Sequence, residues 1–155
     1  MKVLTQTNNT LLSISLLLLR ITAGTILFVA GAGKVFGWFG GMGLEATLNA
    51  FSTYMGISAF WAYVSSFAEL IGGFLLVIGL LTRPAAFVLT INMLVAVILV
   101  GTKNFFLPGG GAYAFVIMIG SLIILLAGPM SYSLDALLTR GNTSLHKEDI
   151  AIPPN

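Results

Sequence analysis

Arg20 stands inside an apolar run that extends from Leu11 to Gly33 with no other charged residue, between Leu16-Leu17-Leu18-Leu19 and Ile21-Thr22-Ala23-Gly24. A run of that length predicts a membrane-spanning helix, and a guanidinium near its centre costs roughly 2.5–3.5 kcal/mol on insertion scales. A partner must offset that cost. Glu69, the one carboxylate of the next long apolar segment, is the natural candidate.

Composition agrees with a chain that lives in lipid. Of its 155 residues, 57% are hydrophobic and 8% charged, and the mean hydropathy of +1.02 lies outside the range of soluble domains. The net charge of +2 is too small, and the basic residues too scattered, for a nucleic-acid surface. Cysteine is absent and the single histidine, His146, lies in the polar tail, so the chain cannot by itself support a disulfide, thiolate chemistry, an iron-sulfur cluster or a bis-histidine haem, and no metal site is expected. No intrinsic cofactor is expected, and a redox role would need a diffusible molecule or another subunit.

Four apolar segments, at about 11–31, 60–81, 84–101 and 112–128, approach or reach the roughly 20 residues that cross a ~30 Å hydrocarbon core. The first is read as a retained span rather than a signal peptide, because no small-residue cleavage site leads into a polar mature sequence. Thr82-Arg83-Pro84 is a tight turn with proline in the first turn of the following helix. Pro108-Gly109-Gly110-Gly111 breaks the third connection. The expected fold is all-α: an integral-membrane antiparallel bundle of four transmembrane helices in a single domain, 1–138, with a polar tail, 139–155. In the first connection Leu44, Leu48, Phe51 and Met55 recur at helical spacing, which predicts an amphipathic helix at the interface. After Gly128-Pro129, Ser131 or Ser133 can cap a short surface helix with Asp135 in its first turn. Lys2, Arg83, Arg140 and Lys147 against Lys34 and Lys103 place both termini in the cytoplasm.

Counting from the span centres puts Arg20 and Glu69 roughly 4 Å apart in depth, within reach of an arginine side chain. An interior polar site of Arg20, Glu69 and Asn92 follows, and it supports two readings. The pair either fixes the register of the helices or floors a polar cavity. Ser121, alone in span four, is expected to bond back to its own helix. Aromatic residues crowd the first and third connections; they form an interfacial belt, or line an entrance with Lys34, Trp38, Trp61, Lys103 and Tyr113 at an outer mouth. Such an entrance would suit a flat lipophilic molecule, a non-covalently bound quinone or another isoprenoid.

Arg20-x3-Gly24 with Phe28-x2-Gly31-x2-Lys34-x-Phe36-Gly37, then Glu69-x2-Gly72-Gly73-x5-Gly79-Leu80-Leu81-Thr82-Arg83-Pro84, then Gly128-Pro129-x-Ser131-Tyr132-Ser133-Leu134-Asp135, together resemble the DoxX family of small four-helix membrane proteins. The resemblance runs from about residue 12 to 138. It makes Arg20, Lys34, Glu69 and Asp135 recurring polar positions, with Ser133 and Asp135 in an inner-surface motif. It implies a location in the cell inner membrane and association with membrane oxidoreductase systems. The partners it implies are lipid and a redox protein subunit, and an oligomer is compatible with so small a chain. Many members carry a Gly-Gly-Tyr-Glu-like element at the start of span four, and often a histidine near the end of span three. Here Gly110-Gly111-Ala112-Tyr113 and Thr102-Lys103 stand there, so chemistry needing that glutamate or histidine has no matching residue. The isolated chain is thus expected to serve as an accessory subunit more than as an enzyme. A small-solute or proton transporter and a ligand-free structural partner are the alternatives.

Overall fold

Glycine spacing sets how the helices approach one another. A computed structural model describes residues 9–100, 105–106, 110–129 and 132–138, and every regular element among them is helical. These are α1 (Asn9–Phe36), α2 (Leu44–Met55), α3 (Ala59–Ile78), α4 (Thr82–Val100) and α5 (Gly111–Ala127), with a 3-10 turn at Trp38–Gly40. By length and hydropathy α1, α3 and α4 are each able to cross a membrane, whereas α5 is apolar but shorter. The 28 residues of α1 span about 42 Å, so the helix continues well past the apolar run expected at 11–31.

In lipid no hydrophobic effect draws helices together, and close backbone packing at small residues takes its place. Gly31 lies against the backbone of Leu70, Gly24 against Gly73 and Val77, and Gly73 against Phe28, so rising numbers on α1 meet falling numbers on α3. The two helices are antiparallel. Gly72 packs on Leu89, and Asn92 reaches Glu69, which gives α3 and α4 the same opposed sense. Leu27, Leu76, Ala86, Leu89, Met93, Ile117 and Ile124 fill the core between them.

The connections are equally local. Gly79 ends α3 in the left-handed region at φ 71°, its amide bonding back to Leu75 at 2.9 Å, and α4 begins three residues later with Pro84 in its first turn. The amphipathic helix expected in the first connection is present as α2. It buries Thr47 most deeply and leaves Met55 exposed. Ser133 caps the helical turn at 134–138, its Oγ accepting the Ala136 amide at 3.1 Å. Lys2, Lys103, Arg140, His146, Lys147 and the tail expected at 139–155 lie outside the described residues.

A Cβ at position 31 would meet the main chain of Leu70, which cannot yield without separating α1 from α3. Gly31→Ala is therefore expected to cost about 1–3 kcal/mol in detergent thermal unfolding. At Gly120 the nearest atom to an added Cβ is Leu19 Cδ1 at 3.5 Å, an ordinary contact, so Gly120→Ala should be near neutral or slightly stabilising.

Candidate functional site

The direction of side chains on a helix decides which charges can meet. Cα–Cβ bonds tilt toward the helix N-terminus, so Lys34 leans back along α1 while Glu69, on the antiparallel α3, leans the opposite way and toward it. They meet: Lys34 Nζ lies 2.7 Å from Oε1 and 2.6 Å from Oε2 of Glu69. Asn92 on α4 donates from Nδ2 to Oε1 at 3.2 Å. The Glu69 side chain is only 4% exposed and that of Lys34 29%, so the carboxylate is the buried partner. Phe51 of α2 stands with its ring centroid 5.8 Å from Nζ. Thr47 Oγ1, at 3.4 Å, donates to the Lys34 carbonyl.

Arg20 does not join this group. The interior pair of Arg20 with Glu69 expected from span centres is replaced by Lys34 with Glu69, and the reason is register. With Gly31 beside Leu70, Arg20 lies eleven residues further toward the start of α1, about 16 Å along the axis. Its side chain also leans away from Glu69. Arg20 Nη2 donates instead to the Tyr132 carbonyl at 2.5 Å, and its guanidinium lies over Gly79, where an added Cβ would fall 2.7 Å from Nη1.

Around that guanidinium the segment after α5 folds back onto the α3–α4 turn. Asp135 accepts the amides of Leu81 and Thr82, each at 2.8 Å, and its own amide donates to Gly79 O at 3.0 Å. An aspartate from the far end of the chain thus supplies the N-terminal cap of α4. Burial raises the Asp135 carboxyl, but the hydrogen bonds from Thr82 and Leu81 and the charge of Arg20 outweigh it and hold the group below its ordinary value. Ser133 Oγ donates to Pro129 O at 2.7 Å, closing the same clasp.

Above the contact of Gly72 with Leu89, α3 and α4 leave a groove of about 880 Å³. Lys34, Glu69 and Asn92 line it as its polar floor, with Ser65 and Tyr113 as further polar groups. Its walls are apolar: Ala30, Trp61, Val64, Ala68, Phe87, Ile91 and Val95, closed at one end by Phe51, Met55 and Ile57. Trp61, Val64, Phe87, Ile91 and Val95 are also exposed on the outside of the helices. The groove therefore opens sideways, along a flank that would face lipid. Its volume falls within the range of small-molecule sites.

Of the mouth expected at Lys34, Trp38, Trp61, Lys103 and Tyr113, three residues line the groove: Lys34, Trp61 and Tyr113. Trp38 lies outside the lining, against Phe36 at 4.9 Å between ring centroids. Ser121 Oγ, expected to bond back to its own helix, is buried without a hydrogen-bond partner among the described residues, unlike Ser66 and Thr90, which do bond back. Thr47, Ala30 and Ala68 escaped the sequence reading, whereas Ser65 lies on the small and polar face of span two that the sequence shows. Thr47 carried a usable signal, a polar side chain on the apolar face of α2 between Leu44 and Phe51.

Comparison with known proteins places these features in a family context. The DoxX family profile matches residues 15–102. Over 128 residues, 83% of this chain and 90% of the relative, the sequence is 33% identical to a Bacillus subtilis (strain 168) protein named "Putative oxidoreductase CatD". No solved structure matches significantly.

Lys34→Met strands a buried carboxylate and should cost about 3 kcal/mol, with much of the loss recovered in Lys34→Met/Glu69→Leu. A double-mutant cycle on unfolding should give a coupling of about 1 kcal/mol or more, whereas Arg20→Met with Glu69→Leu should be additive. Asp135→Asn should weaken the α4 cap by about 1 kcal/mol. Because the folded Asp135 carboxyl titrates below its ordinary value of 3.8, its contribution is complete above that pH and is lost as pH falls through the lowered value. The acid limb of the unfolding curve should be shallower in the variant.

Proposed function

The chain belongs to the DoxX family of membrane proteins, and on that premise we propose that it holds a quinone-like or similar lipophilic ring as an accessory subunit of a membrane-associated oxidoreductase system. The single observation that carries this reading is the sideways-open apolar groove with a floor of Lys34, Glu69 and Asn92. A flat ring fits between Trp61, Phe51 and Tyr113, its tail lies along Phe87, Ile91 and Val95, and its oxygen reaches the floor. The name of the Bacillus subtilis relative supports an oxidoreductase setting.

In this reading α1, α3, α4 and α5 cross the cell inner membrane as an antiparallel bundle with both termini in the cytoplasm, as the excess of basic residues on that side favours. The Arg20 clasp then lies at the cytoplasmic surface and the Lys34 floor in the outer half. A bound quinone is reached from the bilayer, where such molecules dissolve. Electrons pass to it from a partner subunit, since this chain has no cysteine and its one histidine is in the tail.

Mass spectrometry of protein extracted in mild detergent tests the proposal. Roughly one quinone or prenylated ring per chain is expected, and it should be lost in a variant that fills the groove, Ala68→Trp. Extraction of bulk phospholipid alone, equally in wild type and Ala68→Trp, would contradict it.

A further inference from the structure

A groove open along its flank is accessible to every tail in the bilayer, and phospholipids and fatty acids far outnumber any minor lipid. Apolar walls cannot tell these tails apart, so discrimination has to arise at the floor. Lys34 and Glu69 are the charged residues among the described residues that line the groove, and they cancel. Two of the ammonium protons face the two Glu69 oxygens, at 2.7 and 2.6 Å, and one remains. Asn92 commits one amide proton to Glu69 and keeps a second, together with its carbonyl oxygen.

We infer that the groove admits amphiphiles with an uncharged oxygen headgroup and rejects anionic ones, and that Glu69 sets this selectivity by neutralising Lys34. The inference rests on reading the groove as a ligand site and names the ligand class that the site takes. A ring carbonyl or phenol accepts from Lys34 or Asn92 at no cost in net charge, and a phenol can also donate to the Asn92 carbonyl. A carboxylate or phosphate drawn to the same ammonium arrives beside the buried Glu69 carboxylate, whose like charge repels it, and gives up its hydration with no unpaired cation in return. The ion pair thus leaves donors without leaving charge. Glu69 acts here as a specificity-determining residue.

Exchange of Glu69 for its uncharged isostere isolates this effect. Full-length wild type, Glu69→Gln and Lys34→Gln/Glu69→Gln are placed in nanodiscs, and retention of two labelled probes is measured: palmitate and a benzoquinone bearing a decyl chain. Wild type should retain the quinone, and palmitate no better than empty nanodiscs do. Glu69→Gln should hold palmitate about tenfold more tightly than wild type, as a charge-assisted contact to a freed ammonium would. The double variant should lose that gain. A merely structural role for Glu69 predicts no new affinity in any variant. Should Glu69→Gln fail to fold, Asn92→Lys, which adds a cation beside the intact pair, must give the same gain. Equal palmitate retention in wild type and in the folded variant that adds net positive charge overturns the inference, and so does wild-type binding of palmitate as tight as that of the quinone. Absence of quinone binding by wild type, with palmitate gained in Glu69→Gln, would instead overturn the quinone reading and leave the charge filter standing.

Discussion

The contact of Lys34 with Glu69 is the interaction on which the rest of the arrangement depends. A carboxylate 4% exposed between apolar helices needs a counter-charge within hydrogen-bond distance. That requirement holds α1 and α3 at one register, the same register that seats Gly31 against Leu70 and Gly24 against Gly73. Backbone packing and charge pairing thus agree. With α1 and α3 so joined, Asn92 brings α4 to the same carboxylate at 3.2 Å, and the space left beyond that contact is the groove.

The structure treats its two deep cations in opposite ways. Arg20, 6% exposed, donates to the Tyr132 carbonyl and lies over Gly79 at the turn that Asp135 caps, so that protein atoms close around it. Lys34 is left part-open, with a donor turned to the groove. The first arrangement fastens the segment after α5 to the α3–α4 turn and borders a crevice of about 10 Å³, room for one water at most. The second has an 880 Å³ groove above it. Chain fastening belongs to the Arg20 end, and ligand chemistry, in the reading proposed, to the Lys34 end.

Much of this was legible in the residues. The helical segments, the amphipathic α2, the tight turn before Pro84, a serine cap at Ser131 or Ser133 and the interior position of Glu69 and Asn92 all follow from apolar periodicity, turn residues and isolated polar side chains. The partner of Glu69 did not. A centre-to-centre count of apolar runs ended span one at Gly31, where hydropathy falls, but the helix continues to Phe36 and carries Lys34 to the carboxylate. Register came from glycine-to-backbone contacts, and pairing from the opposed tilt of side chains on antiparallel helices, neither of which a hydropathy window contains. The groove was illegible for a related reason: its walls are ordinary apolar residues, and only the folding of α1, α2, α3, α4 and α5 together makes them a cavity.

In the function proposed above, a ligand oxygen meets the floor formed by Lys34, Glu69 and Asn92. Infrared difference spectroscopy of a decyl benzoquinone bound to the protein in nanodiscs reads that contact directly through the carbonyl stretch. One quinone carbonyl should shift to lower frequency than in protein-free nanodiscs, with the shift diminished in Asn92→Leu and accompanied by a carboxylate band change that is absent in Glu69→Gln. A bound quinone with the same carbonyl frequency as in lipid alone, and no carboxylate response, would contradict it.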